Sequence, residues 1–100
     1  MASKRVCTVE GTDGRGLPIT VTVEACTVYE AAARGLEEIR IGGGSASDLR
    51  VVEHLPGKEW TVTPDRLLKW VSSSSRDGDN IGLQVIKKNL REFLNRSVKY

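Results

Sequence analysis

His54 is the single imidazole of the chain, and so its one group that titrates near neutrality without help from its surroundings. Four residues beyond it in sequence begins Lys58-Glu59-Trp60, and between them Pro56-Gly57 sits at the centre of Leu55–Lys58, the pattern of a type II turn. Folding there sets His54 opposite Glu59, Glu53 opposite Trp60, Val52 opposite Thr61 and Val51 opposite Val62, with Arg50 and Thr61 beside the ring. An imidazole oriented by a carboxylate is half of a catalytic arrangement. The other half, a nucleophile in a pocket, has no counterpart, because the neighbouring hydroxyls fall on a flat sheet face. A cross-strand ion pair contributing on the order of 0.2–1 kcal/mol accounts for the pairing. No catalytic residue is assigned, and the chain is read as a non-enzyme.

Other reactive side chains point the same way. Cys7, Cys26 and His54 are three scattered Cys/His residues, fewer than the four or so that a structural zinc site needs. No metal or other cofactor is expected, and the cysteines read as small apolar residues in a reducing cytoplasm. Gly11-Thr12-Asp13-Gly14-Arg15-Gly16 has glycines spaced G-x-x-G-x-G between two strands with no lysine following, which matches neither a P-loop nor a dinucleotide fingerprint. Gly42-Gly43-Gly44 leaves a helix C-terminus, where the dipole repels anions. Glu37-Glu38 and Asp77/Asp79 are expected on a helix surface and in a linker, with no burial to shift their pKa.

The elements that position these groups follow from periodicity. Residues 4–10 and 17–24 alternate as strands, the second with Leu17, Ile19, Val21 and Val23 on one face. If all six residues 11–16 form the loop, Glu10 faces Leu17, Thr8 faces Ile19, Val6 faces Val21, and Cys7 faces Thr20, far from Cys26. A one-residue slip would bring Cys7 and Val9 to the core instead. Pro18 lacks an amide hydrogen, so it belongs at an edge or a strand start.

Thr27-Val28-Tyr29-Glu30 is a capping box. Val28, Ala32, Leu36 and Ile39 then form one narrow apolar stripe of a helix ended by the three glycines. Strands over 48–55 and 58–63 put Leu49, Val51, Trp60 and Val62 on a core face, with Glu53 as the exception there. Thr63-Pro64-Asp65 starts a second helix reaching about Ser72. Residues 73–80 read as a polar linker. Leu83, Ile86, Leu90, Phe93 and Leu94 recur at helical spacing through a final amphipathic helix over 81–97.

At 100 residues, 39% hydrophobic and 28% charged, the chain fits one domain with one core. No transmembrane helix or secretory leader is expected, and no membrane partner. A net charge of +2 is too mild to indicate nucleic acid by itself. Its distribution is uneven: Lys87, Lys88, Arg91, Arg96 and Lys99 face a single acid, Glu92, in the last fourteen residues. Lys87 and Arg91 form a short basic ridge, read as lying opposite the apolar stripe.

The fold class expected is α+β: a four-stranded antiparallel sheet in ββαββα order, with a C-terminal amphipathic helix. The segments Val23-Glu24-Ala25, Val28-Tyr29-Glu30-Ala31-Ala32, Trp60-Thr61-Val62-Thr63 and Leu67 to Trp70-Val71 resemble small bacterial proteins of unassigned function. The strand–strand–helix–strand–strand order resembles the β-grasp, or ubiquitin-like, arrangement, without the Gly-Gly tail of a modifier. Neither resemblance implies an activity. The functional expectation is a cytoplasmic protein-interaction or self-association module. It would bind a protein partner, or a second copy of itself, through Trp70, Leu83, Ile86, Leu90 and Phe93. The alternative is a nucleic-acid module using Lys87, Lys88, Arg91 and Arg96. Trp70 would anchor the first of these surfaces, because one aromatic side chain removes a large apolar area.

Overall fold

The computed structural model describes residues 5–54, 57–72 and 81–97. Strands β1 (Arg5–Thr12) and β2 (Pro18–Ala25) precede helix α1 (Val28–Ile41). Strands β3 (Ser45–Glu53) and β4 (Glu59–Val62) follow, then helices α2 (Pro64–Ser72) and α3 (Ile81–Ser97). The sheet order is β2-β1-β3-β4, and all neighbours are antiparallel. The α+β class and four-stranded antiparallel sheet are therefore as expected. Leu55, Pro56 and the 73–80 linker lie outside the described residues.

Both hairpin registers differ from the sequence expectation. In the first, Cys7 pairs with Val23, Val9 with Val21 and Thr12 with Pro18. The shift is three residues, an odd number, so it exchanges the faces of β1. Its cause is Asp13. The carboxylate accepts the backbone N–H of Arg15 at 2.8 Å and of Leu17 at 2.9 Å, while the Asp13 N–H donates to the Leu17 carbonyl at 2.8 Å. That Asx-type turn closes the loop over 13–17, and Gly16 takes its positive φ of 82°. Gly11 and Thr12, assigned to the loop from sequence, extend the strand. Cys7 and Val9 consequently go to the core.

In the second hairpin, Leu49 pairs with Val62, Val51 with Trp60 and Val52 with Glu59. This shift is two residues, an even number, so every side chain keeps its expected face. β3 also begins at Ser45, inside the stretch expected to be loop.

All three helices contribute to one core against a single sheet face. Val9 and Val51 from the sheet meet Leu36 and Ile39 of α1, Leu67 and Val71 of α2, and Leu90 and Leu94 of α3. Each such side chain contributes about 1.5–3 kcal/mol when fully buried. The capping signals operate: Thr27 Oγ1 accepts the Glu30 N–H at 3.1 Å, and Thr63 Oγ1 accepts the Arg66 N–H at 3.3 Å. α1 buries more than the expected stripe, because Ala31, Ala33, Gly35 and Glu37 are covered as well. Gly35 is required by proximity: a Cβ there would lie 2.6 Å from both Cβ and Cγ1 of Val9. The opposite sheet face stays open and is mostly polar, carrying Thr8, Glu10, Thr20, Thr22, Arg50 and Thr61 beside Val6 and Val52.

Candidate interaction surfaces

The stripe expected to dock a partner packs in part against the domain's own core. Leu83 and Leu90 are buried, and Trp70, Ile86 and Phe93 pack partly covered against the core. Lys87 corrects the reading of an exposed basic ridge, for it is only 5% exposed. Its Nζ lies 4.4 Å from the centroid of the Trp70 indole. Trp70 in turn stacks on Tyr29, with centroids 6.2 Å apart and planes 18° from parallel. One residue from each helix thus forms a column, and the cation at its end contributes about 0.5–2 kcal/mol. The signal was in the spacing: Leu83, Lys87, Leu90 and Leu94 share one helical face. Charge alone had placed Lys87 on the other side.

Glu37 is likewise not a surface acid. It is 8% exposed, receiving hydrogen bonds from Arg40 Nε at 2.6 Å and from Asn89 Nδ2 at 3.0 Å. Burial alone would push its carboxyl up. The two hydrogen bonds, together with the Arg40 charge, outweigh burial and hold it below the ordinary carboxylate value.

His54 and Glu59 do not meet. The two-residue register shift gives Glu59 to Arg50, which also donates to Glu10 Oε2 at 2.6 Å. His54, just beyond β3, shares a hydrogen bond of 2.6 Å between its Nε2 and the Thr8 hydroxyl. It is exposed on the open sheet face. Hydrogen bonds from Arg50, reinforced by its charge, lower the Glu59 carboxyl. The arrangement is a ladder of polar cross-strand contacts rather than an acid–base pair.

The cysteines are nearer each other than the expected register allowed. Cys7, Cys26, Arg5, Glu53 and Trp60 line one cleft of about 130 Å³. Glu53, the exception on the core face, is buried there and takes Arg5 Nη1 at 2.8 Å. Neither cysteine is in a disulfide. Cys26 lies three residues past Val23, the partner of Cys7, and just beyond the end of β2. Burial pushes the Cys7 thiol up, Glu53 adding to it and Arg5 opposing, which makes it a poor nucleophile. Among the described residues, no three His, Cys, Asp or Glu side chains converge as metal ligands, and no helix is long and apolar enough to cross a membrane.

Of the basic residues singled out in sequence, Lys88, Arg91 and Arg96 are exposed. Arg96 and Arg40 line a second shallow cleft of about 130 Å³ with Asn89, Glu92 and Phe93. Arg40 is engaged by Glu37, and Glu92 adds a negative charge, so the groove is close to neutral.

The remaining surface is a sheet edge. Among the described residues β2 has a strand neighbour on one side, β1. The Val6 carbonyl accepts from the His54 N–H at 3.1 Å, so the even residues of β1 bond toward β3 and its odd residues toward β2. In β2 this commits Ile19, Val21 and Val23 to β1. The N–H and C=O groups of Thr20, Thr22 and Glu24 point outward along the edge. Pro18 falls on an outward position too, where its missing N–H costs the sheet nothing. Ile19, Val21 and Val23 are all only half-buried on the helix side. Sequence reasoning recognised the alternation of β2 but not its place at the rim, which depends on β3 pairing with β1.

Comparison with known proteins adds no relative: no family model, curated protein or solved structure matches the chain.

Proposed function

We propose that this protein is a non-catalytic interaction module that takes up an additional β-strand along the β2 rim. The observation carrying the reading is the row of outward backbone groups at Thr20, Thr22 and Glu24, on a strand with no neighbour beyond it among the described residues. Main-chain hydrogen bonds to such a row supply the affinity of strand addition. The polar ladder around Arg50 and the Thr8–His54 contact are consistent with a binding rather than a chemical role. The reading places the protein in a reducing cytoplasm, where its two cysteines stay out of disulfides.

A synthetic peptide spanning residues 17–25, added to dilute protein, tests this directly. The amides of Thr20, Thr22 and Glu24 should shift in NMR spectra and exchange their hydrogens at least tenfold more slowly. Unchanged exchange at those three amides under a large peptide excess overturns the reading.

A second reading rests on Lys88, Arg91 and Arg96, which are exposed on α3. These cations would contact nucleic-acid phosphates, with affinity falling steeply as salt rises. Absence of shifts at these residues on titration with DNA or RNA at low salt removes it.

A further inference from the structure

We infer that the strand accepted by the β2 rim is the β2 strand of a second copy of this chain, running antiparallel about a two-fold axis through Val21. Two four-stranded sheets would then join into one continuous sheet. The inference rests on the reading of the rim as strand-accepting and adds the identity of the occupant.

The self-match is written in the strand. Ile19-Thr20-Val21-Thr22-Val23 reads almost the same in both directions, so about a two-fold axis each side chain meets one of the same or similar type. Centred on Val21, the register sets Thr20 opposite Thr22 of the second copy, Ile19 opposite Val23, and Pro18 opposite Glu24. The outward donors then all find acceptors. Each Thr20 N–H meets a Thr22 carbonyl, each Thr22 N–H a Thr20 carbonyl, and each Glu24 N–H a Pro18 carbonyl. The one missing donor, that of Pro18, falls at the end of the pairing, where its loss interrupts nothing.

Charge selects the same register. Glu24 is the sole charged residue of β2. Pairing about Val21 puts it opposite an uncharged proline and holds the two carboxylates at opposite ends, about 20 Å apart along the strand. On the helix side, the half-buried Ile19, Val21 and Val23 would continue into their counterparts as one apolar row. On the open side, Thr20 and Thr22 would face each other as Thr–Thr pairs, a favourable cross-strand combination. The other rim could not do this: β4 is four residues long and carries Glu59. The contact is a strand edge rather than a broad face, so the dimer should be weak and concentration dependent.

Sedimentation of the full chain over a wide concentration series is the test. The mass should rise from 11.0 kDa toward twice that value. Thr22→Pro removes an outward N–H that β1 does not use, and should weaken dimerisation at least tenfold while leaving the circular dichroism spectrum intact. Thr20→Lys with Thr22→Lys, at positions whose backbone groups the β1 ladder does not use, should weaken it similarly by opposing like charges across the axis, with partial recovery in high salt. If Thr22→Pro fails to fold, the lysine variant decides alone. A wild-type chain that stays monomeric throughout overturns the inference, as does a dimer that the lysine variant leaves unweakened. A monomeric chain whose Thr20, Thr22 and Glu24 amides are still protected by the 17–25 peptide overturns the second copy while keeping the strand-accepting rim. Loss of both results removes both.

Discussion

The two rims of this sheet are built to different rules. β4 is four residues long, its Glu59 is held by Arg50, and its Val62 is buried. Shortness and charge are the ordinary devices by which an edge discourages further pairing. β2 is eight residues long, uncharged except for Glu24 near one end, and three of its four inward apolar residues, Ile19, Val21 and Val23, are only half-buried. Its two blunting residues, Pro18 and Glu24, stand near its two ends and leave Thr20 and Thr22 uncharged between them. A chain that blunts one rim throughout and the other only at its ends has an asymmetry that burial of its core does not require. That asymmetry supports the proposal that β2 receives a strand, and it can be attacked from several sides.

The largest expected effect asks whether association belongs to the rim or to α3. Leu90 is fully buried in the common core, so Leu90→Ala should cost about 2–5 kcal/mol in urea unfolding. Under native conditions it should leave the dimerisation of the folded protein unchanged. A Leu90→Ala chain that keeps its stability but loses its dimer would transfer the contact from β2 to the helix stripe.

A smaller loss should distinguish the two rims. Gly35 lets α1 lie directly on Val9 of β1, the strand that carries β2. Gly35→Ala gains about 1 kcal/mol of helix propensity, but the added methyl meets a β-branched side chain attached to the stiff central strand. Overpacking of this kind costs about 1–3 kcal/mol, and the net sign should be destabilising. Hydrogen exchange should quicken more at Val21 and Val23 than at Trp60 and Val62. Combining Gly35→Ala with Val9→Ala should recover part of the loss, and equal loosening of both rims would deny that α1 is seated specifically behind β1 and β2.

What sequence reasoning recovered and what it missed divides along the same lines. Local signals were decisive where a helix begins: Thr27 with Glu30, and Thr63 with Pro64, cap helices at the expected places. The α3 span over 81–97 followed from apolar spacing alone. Register was harder, because it depends on which residue closes each turn. Three glycines suggested a loop over 11–16, yet the closing group is the Asp13 carboxylate, and an odd slip then moved Cys7 and Val9 to the core. The slip between β3 and β4 was even, so the core list survived while the His54–Glu59 pair did not. Lys87 and Glu37 were assigned to solvent by charge, although Trp70, Arg40 and Asn89 provide partners that local sequence cannot supply. The β2 rim was illegible for a related reason, since an edge is defined by the strand that is absent beside it.

The smallest effect comes from acid, and it should be felt at the β4 rim. Arg50 lowers the Glu59 carboxyl, so this pair contributes stability that is fully present above the ordinary carboxylate value and is lost as pH falls through the depressed one. The pair is exposed, so its contribution is a fraction of the Gly35 effect. Glu37 is also lowered and would give the intact protein a similar acid dependence, but it is common to wild type and to Arg50→Gln and cancels in their difference. Arg50→Gln should therefore be less stable than wild type at pH 7, and the gap should close as pH drops below about 4. Protection of the β4 amides of Trp60 and Val62, which bond to β3, should fall over that range in wild type and change less in the variant. The β2 amides of Val21 and Val23, which bond to β1 and lie two strands away from Arg50, should show no such difference between the two proteins. A pH-dependent gap appearing at β2 instead would mean that the charge network steadies the whole sheet, and the contrast between its rims would lose its electrostatic half.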